Sequence, residues 1–124
     1  MTISEAIGIV DNLKKGNKFS EIEKISWLSE LDGIIKSETI DTHKGSENIS
    51  FSGYDEDSDP GTKLLVPEPY CDVYIHWLTA KMDLYLGETN MYNNDMTLYN
   101  DAKRRFVDWY NRTHMPTGIH KMRW

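Results

Sequence analysis

Residues 70–110 have the sequence YCDVYIHWLTAKMDLYLGETNMYNNDMTLYNDAKRRFVDWY, and the spacing of its apolar side chains decides the fold. These side chains recur three, four and seven positions apart, which predicts amphipathic helices because about 3.6 residues complete a turn. Gly87 predicts an interruption between a third and a fourth helix. One series spaced by seven predicts either a continuous seam or two helices packed in sequence: Leu78, Tyr85, Tyr92, Tyr99 and Phe106. We expect this aromatic stripe to form the core rather than to bind a cofactor.

Two further helices are predicted on the N-terminal side of this stretch. Each begins with a capping box, in which two side chains satisfy free amides at the helix start: Thr2 with Glu5, and Ser20 with Glu23. The first helix is expected to end near Leu13, with Gly16 in a left-handed cap conformation. The second is expected to continue to about Asp41.

Residues 44–69 interrupt the helical pattern with glycines, prolines and an acidic run. Ile49 and Phe51 alternate with polar residues, and residues 63–66 form a second apolar segment, so the pattern predicts a two-stranded β-hairpin. We expect a chain of this length to form one domain over residues 1–124. The fold expected is all-α: a four-helix body with a long non-helical arm between helices 2 and 3, projecting from the body.

Residues 113–124 lose the helical periodicity and are expected to form a C-terminal tail, because Pro116 stops the fourth helix. The tail is basic and ends in Trp124. Since Trp and Arg are enriched where proteins bind one another, we expect the tail to dock on a neighbouring subunit. The alternative is that Trp124 folds back onto its own helices.

The formal charge is unevenly distributed along the chain. Residues 1–100 carry 8 basic and 18 acidic side chains, whereas residues 101–124 carry 6 basic and 2 acidic ones. An acidic body repels phosphate, which disfavours DNA binding over the whole surface. The basic end either meets an acidic surface on a partner or another copy, or only complements the dipole of its own helix.

No arrangement of residues predicts catalysis, a metal site or a cofactor. Asp55, Asp57 and Asp59 alternate as calcium ligands do, but Pro60 and Val66 occupy the positions where a calcium loop requires Gly and Glu. A solvated acidic turn is the better interpretation. No two histidines have the i, i+4 spacing of zinc ligands on a helix, and the single cysteine has no evident base. We therefore do not expect an enzyme.

The composition indicates a soluble protein made in the cytosol. The single cysteine excludes an internal disulfide, and no signal peptide opens the chain. No apolar run approaches the roughly 18 residues of a membrane span.

Five stretches of the chain resemble a family of small proteins from prophages of Gram-positive bacteria. They occur in the same order and with similar spacing as in that family: ISWLSELDG (25–33), FSGYDED (51–57), LLVPEPY (64–70), YIHWL (74–78) and YNRTHMP (110–116). The family resembles the head–tail connectors, or neck proteins, of long-tailed phages. The resemblance implies a mostly helical protein that assembles as a ring of about a dozen copies beneath the portal.

The resemblance implies a virion structural protein located at the neck and synthesised in the bacterial cytoplasm. Its expected partners are other copies of itself, the portal and neighbouring neck or tail proteins, with DNA passing non-specifically through the channel. We expect the arm and the basic end to supply the subunit or partner interface: Tyr54, Asp55, Asp57, Leu64, Leu65, Arg104, Arg105, Arg112 and Trp124. The alternative is a small acidic binding protein that mimics DNA or inhibits a host enzyme.

Overall fold

The computed structural model describes residues 1–116. It contains four α-helices, numbered in chain order: α1 (Ile3–Leu13), α2 (Glu21–Glu38), α3 (Asp72–Leu86) and α4 (Thr89–Thr113). Two short 3₁₀ turns, Ile40–Thr42 and Ser46–Asn48, follow α2. The described part of the chain has no β-strand, so the all-α class is confirmed. None of the helices within residues 1–116 is long and apolar enough to cross a membrane.

Both predicted capping boxes are present and set the starts of α1 and α2. The Glu5 amide donates to Thr2 Oγ1 at 3.2 Å, and the Thr2 amide donates to Glu5 Oε1 at 2.9 Å. Ser20 and Glu23 form the same reciprocal pair at 3.1 and 3.0 Å. Each box satisfies two amides that a helix start otherwise leaves free, and a cap of this kind contributes about 1 kcal/mol.

α3 packs antiparallel against α4 on one side and against α1 and α2 on the other, so α3 is the central helix of the fold. Gly87 reverses the chain between α3 and α4 with φ +75°, as its position in the sequence predicted. Tyr70, just before α3, contacts Phe106 late in α4, and Trp77 contacts Tyr99 nearer the turn. The series spaced by seven is therefore divided between two packed helices.

The aromatic stripe, which we expected to form the core, is buried only in part. Leu78, Tyr99 and Phe106 are buried, whereas Tyr85 is 65% exposed, and its neighbour Leu84, outside the series, is 49% exposed. Both exposed residues belong to the last turn of α3, at the end of the helix pair, where Tyr85 stacks on Trp27 but keeps most of its surface in solvent. The interior of the stripe is core, and its end is surface.

The segment between the 3₁₀ turns and α3 does not form the predicted hairpin, nor does it project as an arm. Lys63 forms an isolated antiparallel bridge with Thr2, and the Leu64 amide donates to the Met1 carbonyl at 3.0 Å. Val66 is fully buried. A lone hairpin would leave such apolar residues half in water. Packed on the body they join the core, so the expectation of a projecting β-arm was wrong.

The end of α4 is held by the segment that follows α2. α2 ends at Glu38 rather than near Asp41. His43 is buried, and its ring pairs with the Thr39 carbonyl at 2.6 Å and with Asn111 Oδ1 on α4 at 2.8 Å. The Lys44 amide donates to the Met115 carbonyl at 2.7 Å. These bonds join the end of the described chain to the body.

Candidate functional site

A buried hydrogen-bond network centred on Asp32 is the most distinctive polar feature of the interior. Asp32 lies on α2 and is fully buried. Its carboxylate accepts hydrogen bonds from the Tyr54 hydroxyl at 2.5 Å, the Tyr74 hydroxyl at 2.6 Å and the Leu65 amide at 3.0 Å. Burial raises the pKa of Asp32, and the three hydrogen bonds oppose that rise because they favour the ionised carboxylate.

The Asp32 network fixes the long loop, residues 49–71 between the second 3₁₀ turn and α3, to the helices. The Tyr74 hydroxyl on α3 donates to Asp32 and accepts from the Val66 amide at 2.7 Å. The thiol of Cys71 donates to the Val66 carbonyl at 3.1 Å. Buried polar groups stabilise a fold when their hydrogen bonds are satisfied, and these bonds join α2, α3 and the loop between them. The network therefore stabilises the fold, and it does not resemble a reactive centre.

Three of the residues expected at an interface serve this network or the core beneath it. Tyr54 and Leu65 come together at Asp32, Tyr54 through its hydroxyl and Leu65 through its backbone amide. Leu64 is only 6% exposed. In this conformation Leu64 offers almost no side-chain surface to a partner, because the loop that carries it packs on the body.

The acidic turn, which we define as residues 55–59, remains an exposed surface. The Asp55 carboxylate accepts from the Asp57 amide at 2.9 Å, and the Asp59 carboxylate accepts from the Gly61 amide at 2.8 Å. A groove of about 550 Å³ separates this turn from α2 and is lined partly by Ile22, which is 56% exposed. The turn is therefore ordered by hydrogen bonds from backbone amides to its own carboxylates, and it lies beside a partly apolar surface.

The arginines on α4 are exposed but largely neutralised by neighbouring carboxylates. Arg104 pairs with Asp101 at 2.8 Å and with Asp108 at 3.3 Å, on its own helix. Arg105 pairs with Asp72 on α3 at 3.2 Å. Exposed pairs of this kind contribute little to stability.

The remaining members of the expected interface lie apart from the loop residues. Arg112 is exposed near the end of α4. Trp124 lies outside the described residues, as does the tail after Pro116. No hydrogen bond or ion pair among the described residues joins the α4 arginines to Tyr54, Asp55, Asp57, Leu64 or Leu65. The structure thus separates the expected interface into a loop part and an α4 part.

A second exposed surface was not predicted from the sequence. We call it the lysine patch and define it by Leu13, Lys15, Lys18, Phe19 and Leu86. Leu13 and Leu86 are 62% and 60% exposed, and Lys15, Lys18, Phe19 and Leu86 line a pocket of about 500 Å³. The sequence did contain a sign of this surface: an apolar residue at the end of α1, followed by lysines, and another apolar residue at the end of α3. Only the packing of these two helix ends brings them together.

Asp83, which is buried on α3, and Asp95, which is partly exposed on α4, face each other near Lys14. Asp83 is 1% exposed and accepts from Lys14 Nζ at 2.9 Å. Within residues 1–116, Asp83 Oδ2 and Asp95 Oδ2 are buried without a hydrogen-bond donor. Burial and the neighbouring Asp83 raise the pKa of Asp95 to about 7. A proton on Asp95 allows this side chain to donate a hydrogen bond to Asp83. The two carboxyl groups are therefore most stable when they share one proton.

Replacing Asp95 by asparagine is expected to stabilise the protein above pH 7. Because the pKa is higher in the folded than in the unfolded state, ionisation of Asp95 costs stability as the pH rises from about 4 to 7. A neutral amide at this position removes that cost, and we expect a gain of about 1–2 kcal/mol at pH 8, since Asp95 is partly solvated. The gain should vanish near pH 4 in urea denaturation series.

The control for this prediction is Asp101→Asn on the same helix. Arg104 and Arg105 lower the pKa of Asp101, so its neutralisation should cost stability at pH 8 rather than add it. A gain from Asp95→Asn that is equal at pH 4 and pH 8 would contradict the shared-proton account.

The other candidate chemical groups are also engaged in the fold. Cys71 is 1% exposed, and burial raises the pKa of its thiol to about 11, so at neutral pH it is protonated and shielded from reagents. Among the residues that the structure describes, no group of three His, Cys, Asp or Glu side chains is placed to hold a metal ion.

Comparison of the chain with protein-family models, with curated proteins and with solved structures finds no match.

Proposed function

We propose that this protein is a virion structural protein: a head–tail connector that forms a homo-oligomeric ring at the phage neck. In this role it joins the portal to other neck and tail proteins and leaves a channel through which DNA passes. It acts by assembly and not by catalysis.

The observation that carries the proposal is where the five family-like stretches lie in the fold. Asp32, Tyr54, Leu65 and Tyr74 each come from a different one of the first four stretches, and they meet in one hydrogen-bond network. In the fifth stretch, the rings of Tyr110 and His114 stack 3.8 Å apart. The stretches that resemble the connector family therefore contain residues that hold the fold together. This supports the view that the protein and the connector family share a fold.

The state of the buried polar groups supports a structural role. A catalytic acid, base or nucleophile must reach the substrate, and it must be able to transfer a proton or to attack with an electron pair. Asp32 and His43 are buried with hydrogen-bond partners, and Cys71 is a buried thiol. Their burial and their contacts stabilise the fold, which is what a component of an assembly requires.

The distribution of charge also suits a channel for DNA. The formal charge is −6, and Arg104 and Arg105, which could otherwise bind phosphate, are paired with carboxylates on α3 and α4. Carboxylates that face a channel repel the DNA backbone and so prevent it from adhering during passage.

Deletion of the gene from an inducible prophage that carries it tests the proposal. We expect DNA-filled heads without tails, and infective particles should return when the wild-type gene is supplied in trans. Immunogold labelling should place the protein at the neck of those particles. Normal particles from the deletion strain would contradict the proposal. So would recovery of the protein bound to a host DNA-binding enzyme and absent from virions, which is the result expected of a DNA mimic.

A further inference from the structure

We propose that the lysine patch of one subunit binds the acidic turn of the next, and that this contact is the repeating interface of the ring. The inference rests on the proposed connector function, which requires self-association but does not say through which surfaces. The occupant of the lysine patch is a second copy of this chain.

The lysine patch has the composition of a binding surface. It combines exposed apolar side chains with two cations, Lys15 and Lys18. Among residues 1–116 neither lysine lies within salt-bridge distance of a carboxylate, whereas Lys14 beside them is paired with Asp83. Exposed apolar area together with unpaired charge favours a partner that supplies carboxylates and some apolar surface.

The acidic turn and the groove beside it supply what the lysine patch lacks. Asp55 and Glu56 are exposed, and among the described residues neither forms an ion pair. Ile22 adds half-exposed apolar surface at the edge of the same groove. The two surfaces are thus complementary in charge and both partly apolar, as the faces of a stable contact are.

Both surfaces are held in shape before they meet. The Asn17 side chain bonds to Asp11 Oδ1 at 3.0 Å and to the Lys14 carbonyl at 2.9 Å, which orders the turn between α1 and α2. Tyr54 anchors the acidic turn through its hydroxyl on Asp32 and through its amide, which donates to Ser29 Oγ at 3.0 Å. Ordered surfaces lose less conformational entropy on binding, so a modest contact area suffices in a ring.

The two surfaces face nearly opposite directions from α2. Ser29 anchors the acidic turn, whereas Trp27 contacts Phe19 of the lysine patch. Each residue turns a helix by about 100°, so positions 27 and 29 lie about 160° apart around the axis. Within residues 1–116 of one molecule, no ion pair joins the lysine patch to the acidic turn. A contact between different faces of successive copies is heterologous, and such a contact builds a ring when the rotation between successive copies closes on itself.

Disulfide trapping between two single variants tests the contact. Lys18→Cys and Glu56→Cys are prepared separately in the otherwise wild-type chain, mixed at high concentration and oxidised. We expect at least about tenfold more linked dimer than from the control mixture of Lys44→Cys and Glu56→Cys, since Lys44 is an exposed lysine outside the patch. Wild-type protein is the blank, because its Cys71 is buried. Equal yields from both mixtures would overturn the inference.

Exchange of charge gives a second and independent readout. For this test one protein carries Leu86→Cys in its lysine patch and the other carries Ile22→Cys beside its acidic turn. Lys15→Glu with Lys18→Glu in the first protein should abolish trapping. Asp55→Lys with Glu56→Lys in the second protein should also abolish it. Mixing the two reversed proteins should restore it, because unlike charges face each other again. Failure of restoration would overturn the role of charge.

These results are separable from the test of the proposed function. If the protein is found at the virion neck but trapping is unspecific, the inferred interface fails and the connector function stands. If trapping is specific but the deletion strain makes normal particles, the interface stands and the connector function fails.

Discussion

Replacing Asp32 by alanine is expected to destabilise the protein by about 3–5 kcal/mol. The substitution leaves the Tyr74 hydroxyl and the Leu65 amide without their acceptor and removes the bond from Tyr54. Since Tyr74 is fully buried, water cannot replace the lost acceptor there. Chemical denaturation followed by circular dichroism measures the change in the free energy of unfolding.

The control is Asp57→Ala in the acidic turn. Asp57 is exposed, and the bond that it makes there is donated by its backbone amide, which alanine keeps. We expect a change within about 0.5 kcal/mol. If the two substitutions cost the same, the Asp32 network does not fasten the loop, and the structural interpretation of the family-like stretches loses its basis.

Replacing Tyr99 by alanine is expected to cost about 3–5 kcal/mol as well. Tyr99 is 4% exposed between α3 and α4, and its ring lies 5.0 Å from that of Trp77. Alanine leaves a cavity that two long helices cannot close by small shifts. Thermal and urea denaturation should both report the loss.

Tyr85→Ala is the matched comparison, because Tyr85 and Tyr99 belong to the same series spaced by seven. Tyr85 is 65% exposed and stacks on Trp27 at 5.7 Å. Its removal should cost only about 0.5–1.5 kcal/mol, the contribution of one aromatic pair. A loss at Tyr85 as large as that at Tyr99 would contradict the division of the stripe into core and surface.

The features that the sequence predicted correctly depend on contacts between near neighbours along the chain. A capping box needs only residues three apart, so Thr2 with Glu5 could be recognised directly. Gly16 and Gly87 adopt left-handed conformations that other residues avoid, and they mark the ends of α1 and α3. Helical periodicity is equally local, and the all-α class followed from it.

The long loop could not be predicted in the same way, because its conformation depends on distant partners. The alternation of Ile49 and Phe51 fits a strand, but alternation cannot show whether a segment pairs with its neighbour or packs on a helix. The chain start provides the pairing for Lys63 and Leu64. That contact joins residues far apart in the sequence, and no local pattern encodes it.

Asp32 carried a signal that pattern analysis missed. Leu28, Leu31 and Ile35 define the buried face of α2, and Asp32 lies on that same face. A carboxylate among buried aliphatic residues needs buried donors, so tyrosines elsewhere in the chain were candidates. Which tyrosines reach it depends on packing, and the sequence does not specify that.

The most direct test of the central claim is cryo-electron microscopy of the neck of particles that carry this protein. We predict a ring of about a dozen copies between portal and tail, with the four helices of each copy resolved and the lysine patch against the acidic turn of its neighbour. A neck whose density between portal and tail is fully explained by other proteins would contradict the proposed connector function.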